Sequence, residues 1–198
     1  MRRTSRIGIA LLAATIAACA ASPPTLVALP APSPREGHQN VGPTSGATIL
    51  LRPISLPGYL DNYPVVVARN GNTLIVSKDV EWAEPFRDAV ARALRAALSQ
   101  RLVASRVLID GDGRTPDADL SVEFLALDPE RGALRLDARW TFSCTTRKSR
   151  GRADRTFLEI PLGEASPAGI ATATAEALGR LADVLAAQAP CEGPELAS

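Results

Sequence analysis

Hydrophobic and polar residues alternate most regularly between Ala133 and Phe142. Leu134, Leu136, Ala138, Trp140 and Phe142 fall on one side and Arg135, Asp137, Arg139 and Thr141 on the other. A period of two with one polar side predicts a half-buried antiparallel strand whose polar side meets water or a partner. The run Leu120 to Leu127 carries the same signal, with Leu120, Val122, Phe124 and Ala126 alternating with Ser121, Glu123 and Leu125. Asp128-Pro129-Glu130-Arg131-Gly132 between the two runs predicts a turn. Thr145 to Ala153 reads as a basic hairpin tip, from which Thr156-Phe157-Leu158-Glu159-Ile160 returns as a strand. Earlier in the chain, Thr48 to Leu56 reads as a strand that Pro53 bends or places at an edge, because proline has no N–H for a central ladder. Pro64 to Arg69 and Asn72 to Ser77 flank Asn70-Gly71, which predicts a hairpin with a type I′ turn. Arg106 to Ile109 is a further short strand.

Two stretches change period. Phe86, Ala89, Val90, Ala93, Leu94, Ala97, Leu98 and Leu102 recur at steps of three and four, while Arg87, Asp88, Arg92, Arg95 and Gln100 fill the opposite face. That pattern predicts an amphipathic helix to about Leu102, with Pro85 in its first turn, where a missing donor is harmless. Ser166-Pro167 opens a second helix as N-cap and first turn, and Ile170, Ala173, Ala177, Leu181 and Val184 give it an apolar stripe. Three strands, a helix, four strands and a helix predict an α+β domain over residues 47–190. Its expected form is a largely antiparallel sheet of six to seven strands with two helices on one face, followed by an irregular tail over 191–198.

The first residues have another pattern. Arg2, Arg3 and Arg6 precede an apolar run from Ile7 to Cys19. A run of about a dozen residues is too short to cross a bilayer that needs about 20, so residues 1–18 read as a secretory signal peptide that is removed. Ile16-Ala17-Ala18-Cys19 resembles the bacterial lipobox, which implies that Cys19 is acylated with fatty acids such as palmitate and becomes the new N-terminus. The other reading is an ordinary signal cleaved elsewhere, with Cys19 incidental. Ala20 and Ala21 stand where a retention aspartate would be expected, which favours the periplasmic leaflet of the outer membrane. Pro23, Pro24, Pro30, Pro32, Pro34 and Pro43 mark residues 19–46 as a flexible linker that spaces the domain from the membrane.

Charge and composition narrow the function. The 198 residues are nearly neutral, at +1, and loss of the leader leaves 19 Lys and Arg against 21 Asp and Glu. No basic footprint for nucleic acid exists. Beyond Cys19 the chain has Cys144 and Cys191, which in an oxidising periplasm read either as a disulfide or as two separate thiols.

With these residues in view, the chain resembles the auxiliary lipoprotein family of ABC-type and MCE-protein lipid transport systems. Leu56-Pro57-Gly58-Tyr59-Leu60-Asp61, the Val65 to Val76 hairpin and Trp82-Ala83-Glu84-Pro85-Phe86 carry the resemblance, together with the lipobox and the element order. Phe86 departs from the leucine usual at its position, and neither Cys144 nor Cys191 belongs to the pattern. The resemblance implies a non-catalytic, outer-membrane-anchored lipoprotein facing the periplasm. Such a protein docks onto an MCE-domain protein and inner-membrane transporter subunits, supporting phospholipid transport and membrane integrity. A homo-oligomer is a further expectation where the partner is itself a ring.

The candidate chemistry is sparse. His38, the single histidine, sits in the linker, so no Ser-His-Asp or Cys-His arrangement can form. No Gly-x-x-x-x-Gly-Lys-Ser/Thr loop is present, and any ATPase belongs to a partner. The loop from Asp110 to Asp119 fails the calcium spacing, with Arg114, Thr115 and Ser121 at its fifth, sixth and twelfth places, so no metal and no cofactor are expected. Arg147, Lys148, Arg150 and Arg152 at the hairpin tip suit anionic headgroups or an acidic partner, or else are simply solvated. Trp82 is either a partner-facing anchor or a side chain closing the core edge. Tyr59 and Tyr63 lie in a recognition loop or a structural crossover. The alternative to a transport adaptor is a stand-alone lipoprotein stabilising another envelope assembly, and a periplasmic hydrolase has no positive support.

Overall fold

The computed structural model describes residues 23–33, 46–61, 64–110, 112–145 and 151–189. Its strands are β1 (Thr25–Val27), β2 (Thr48–Leu51), β3 (Pro64–Asn70), β4 (Thr73–Trp82), β5 (Arg106–Leu108), β6 (Ala118–Glu130), β7 (Ala133–Cys144) and β8 (Arg152–Pro161). The helices are α1 (Phe86–Arg101) and α2 (Pro167–Gln188), with a 3₁₀ turn over Gly58–Leu60. All eight strands join one sheet.

The sheet is organised around β6. On one side β6 pairs antiparallel with β7 from Ala118–Cys144 to Glu130–Ala133, and β7 pairs in the same sense with β8. The other edge of β6 is shared between two strands. β2 runs parallel to its start, Ile49 to Leu51 against Ala118 to Leu120, and β3 meets its end through Arg69 and Glu130. The chain after β2 fills the gap between them. Arg52 N–H donates to Leu120 O at 2.9 Å, Ser55 N–H to Val122 O at 3.1 Å, and Phe124 N–H to Ser55 O at 2.8 Å. Pro53, with no N–H to offer, sits where this ladder is interrupted. β5 continues the sheet beyond β2, while β4 and then β1 continue it beyond β3. The long pairings are antiparallel and each parallel one spans at most three residues, so the fold is the expected α+β type with a mixed but mostly antiparallel sheet.

Both helices cover one face. Ser166 Oγ accepts from Gly169 N–H at 3.1 Å and caps α2 one residue ahead of Pro167, while Pro85 stands at the N-cap of α1, one position earlier than expected. The apolar sides of β6 and β7 meet the alanine-rich sides of the helices in one core containing Leu120, Phe124, Leu136, Trp140, Leu94 and Leu178. Alanine at Ala93, Ala97, Ala173 and Ala177 lets these layers approach closely. Polar groups inside the core are paired: the Trp140 indole N–H donates to Thr156 Oγ1 at 3.0 Å, and Thr174 Oγ1 donates to Ile170 O at 2.7 Å.

Four sequence expectations are corrected. The linker assigned to residues 19–46 contains β1, parallel to β4, and Leu29 is buried in the core. Its prolines masked a three-residue apolar strand, Thr25-Leu26-Val27, which raises the strand count above the expected six to seven. A β-bulge between Phe124 and Ala126 reverses the alternation of β6, so Leu127 rather than Ala126 turns inward opposite Leu136. The turn after β6 is shorter than expected, because the strand runs through Pro129 and only Arg131 and Gly132, both at positive φ, reverse the chain. That is type I′ chemistry. The β3–β4 hairpin forms, but its turn residues are Gly71 and Asn72 with only Gly71 at positive φ, which fits type II′ rather than I′. The tail over 191–198 lies outside the described residues.

Candidate functional site

The face of the sheet opposite the helices carries the polar side of the β7 alternation. Across it, β6, β7 and β8 align Asp128 with Arg135 and Glu159, Ala126 with Asp137 and Phe157, and Glu123 with Arg139 and Arg155. Two of its carboxylates, Asp128 and Asp137, are buried although no helix covers them. Arginine and aromatic side chains provide the cover.

Asp128 reaches this face because of the bulge, which moves every later residue of β6 to the opposite side. Arg69 on β3 grips it with Nε at 3.1 Å from Oδ1 and Nη2 at 3.0 Å from Oδ2. Tyr59 in the 3₁₀ turn donates its hydroxyl to the same Oδ2. The Arg69 guanidinium also lies 4.7 Å from the centre of the Tyr59 ring. Burial, and then the bond to Asp128, push the Tyr59 phenol up to about 12. Asp128 in turn holds the Arg69 guanidinium above its ordinary value.

Asp137 is held from β8. Arg155 donates through Nε to Oδ1 at 2.7 Å and through Nη2 to Oδ2 at 2.6 Å, the two-pronged geometry that makes arginine–carboxylate bonds strong. That bond keeps the Asp137 carboxyl below the usual range, against the opposing effect of burial. Arg135 stands 3.7 Å from Asp137, bonds Glu130 at 3.2 Å, and places its guanidinium 5.3 Å from the ring centre of the half-exposed Phe157. Arg139 is more loosely placed, 4.0 Å from Glu123. The result is a row of guanidinium groups whose directions are set by buried acids, beside one exposed aromatic ring. Such a surface can recognise carboxylates, phosphates or peptide carbonyls without a large loss of side-chain freedom.

The other sequence-predicted residues are dispersed. Trp82 is buried at the end of β4 and stacks on Phe86 with ring centres 4.6 Å apart, the geometry of a side chain closing the core edge. Arg152 is exposed at the start of β8. Cys19, His38, Tyr63, Arg147, Lys148, Arg150 and Cys191 lie outside the described residues. Cys144 ends β7 and is disulfide-bonded. Sequence reasoning placed Arg135, Asp137 and Arg139 on a polar side but did not find Asp128, Arg69 or Arg155. The alternation around Asp154-Arg155-Thr156-Phe157 was the available signal for Arg155.

Among the described residues no group of three or more His, Cys, Asp and Glu side chains is placed to hold a metal ion. None of the described helices is long and apolar enough to cross a membrane. A groove of about 1010 Å³ crosses α2 beneath Pro30 to Ser33, but its charged rim is self-paired, Arg101 with Asp183 at 2.6 Å and Arg180 with Glu176 at 2.6 Å.

Comparison with known proteins adds to this geometry. A family model described as an ABC-type transport auxiliary lipoprotein component matches residues 28–186. No curated protein matches the sequence. Among solved structures, protein XCC0632 from Xanthomonas campestris, of family DUF330, superposes with a TM-score of 0.67 at 16% identity, covering 83% of this chain and 94% of its own. A crystal structure described only as an uncharacterized protein also superposes with a TM-score of 0.67, at 15% identity over 84% of this chain and 98% of its own. At these identities the likeness shows a common fold.

Proposed function

The chain belongs to the ABC-type transport auxiliary lipoprotein family, and from that membership we propose that it is a non-catalytic docking subunit of an MCE-type phospholipid transport system. In this reading an acylated Cys19 holds it on the periplasmic face of the outer membrane. Its helix-free sheet face binds an MCE-domain protein that reaches from inner-membrane transporter subunits.

The observation that carries the reading is the guanidinium row fixed by Asp128 and Asp137 beside the exposed Phe157. A face built to move substrate through chemistry would need a nucleophile and a base in reach of each other. The polar groups here are committed to one another and leave directed donors for a partner surface. The sequence holds no nucleotide-binding loop, so energy for transport enters through the partner.

Affinity purification of the full chain from its own membranes tests this. The expected result is co-purification of an MCE-domain protein and an inner-membrane transporter subunit, with recovery reduced for Arg139→Glu and for Phe157→Ser, both at exposed positions. Recovery of neither partner overturns the reading and leaves the role of a stand-alone envelope lipoprotein.

A further inference from the structure

β1 and β4 form a ribbon at one margin of the sheet that leaves large apolar side chains in solvent. Leu26 is 60% exposed, Ile75 44% and Val76 48%. Ile75 and Val76 are consecutive on one strand and therefore point to opposite sides, so the ribbon near the hairpin is uncovered on both faces. β1 pairs with β4 only at Val80 to Trp82, and Thr73 to Asp79 have no second strand neighbour among the described residues. An open apolar edge of this kind is a liability in water unless something covers it.

The direction of β1 indicates what does. Thr25, Leu26 and Val27 run parallel to Val80, Glu81 and Trp82, so the described residues before them, Pro24 and Pro23, enter β1 from the side of β4 that holds Lys78, Val76 and Ile75. Cys19 precedes Pro23, the first described residue, by four peptide units. That distance is at most about 14 Å for a fully extended chain. A lipid grafted onto Cys19 is therefore tethered within that reach of Pro23, which leads into β1 of this ribbon.

We propose that the β1–β4 ribbon is a membrane-contacting surface, with Leu26, Ile75 and Val76 seated in the headgroup boundary of the bilayer that holds the Cys19 acyl chains. The proposal rests on acylation of Cys19, which is part of the reading given above. Interfacial burial of these side chains adds apolar area to the anchor and fixes which way the domain faces. The guanidinium row lies on other strands of the sheet, with Arg69 on β3, Arg135 and Arg139 on β7 and Arg155 on β8, and remains available to a partner.

The test uses the full lipidated chain in vesicles of phosphatidylethanolamine and phosphatidylglycerol containing dibrominated phosphatidylcholine, which quenches indole fluorescence at bilayer depth. Ile75→Trp and Val76→Trp are compared with Val103→Trp. Val103 is 65% exposed and follows α1, next to β5, whose branch of the sheet joins β6 at its start, whereas the branch carrying the ribbon joins β6 at its end. Trp82 and Trp140 are buried and supply a constant background. The expected result is a loss of emission beyond the wild-type background for Ile75→Trp and Val76→Trp and none for Val103→Trp. Equal quenching at all three positions in chains that stay with the vesicles overturns the ribbon contact while leaving the anchor intact. An intact mass without fatty acids at residue 19 overturns both the anchor and the contact.

Discussion

Tyr59 donates its hydroxyl hydrogen to Asp128 across 69 positions of sequence, tying the 3₁₀ turn to the far end of β6. Burial and this bond push the phenol up from 10.0 to about 12. The pKa is raised in the folded state, so the bond's contribution to stability is complete below pH 10 and disappears as pH rises from 10 toward about 12. Ultraviolet titration of tyrosinate should show a component near 12 in the folded chain that Tyr59→Phe removes. Ordinary titration of Tyr59 near 10 would contradict the contact.

Asp128 anchors both Tyr59 and Arg69 while shielded from solvent. Asp128→Ala leaves a guanidinium and a phenol facing an empty site, and removal of one member of a buried pair costs about 3 kcal/mol or more. Urea unfolding at neutral pH should show that loss. A change under about 1 kcal/mol would mean that solvent or a neighbour replaces the carboxylate.

The Asp137 carboxyl lies below its usual range, chiefly through the Arg155 hydrogen bond. Its contribution is therefore present above the unfolded carboxylate value of about 3.9 and is lost only as pH falls through the depressed folded value. Asp137→Asn should be less stable than wild type at pH 7 and should lose less stability on acidification below about pH 4. Parallel pH–stability curves for the two chains would rule out a depressed carboxyl.

Cys144 is disulfide-bonded at the end of β7. Ala189, just after α2, lies two residues before Cys191, and the expected bridge is Cys144–Cys191. Peptide mapping without reductant should recover these two cysteines linked. Reduction should cost about 4 kcal/mol by the chain-entropy estimate for a loop of this size. A free thiol at Cys191 would disprove the pairing.

The strands and helices that bury one side were legible because periodicity records burial. Leu134 to Phe142 and Phe86 to Leu98 follow the pattern closely. What escaped was set by contacts distant in sequence. Leu125 occupies the bulge without a partner in β7, and nothing local in Phe124-Leu125-Ala126 announces that the phase will change. Asp128 consequently read as a turn residue, although it is the buried centre of a cluster with Tyr59 and Arg69. β1 escaped for a related reason. Thr25-Leu26-Val27 is too short to show alternation, and its place in the sheet is determined by β4, which comes more than forty positions later.

The sharing of one edge of β6 has a temporal consequence. β2 and β3 both wait for a strand made well after them, so a nascent chain that ends before Ala118 has no spine on which to assemble. Such distant pairing slows folding, because loop closure must precede any gain from contact. In the reading proposed above, in which the chain is exported, late assembly of this kind would keep it threadable until its second half has emerged.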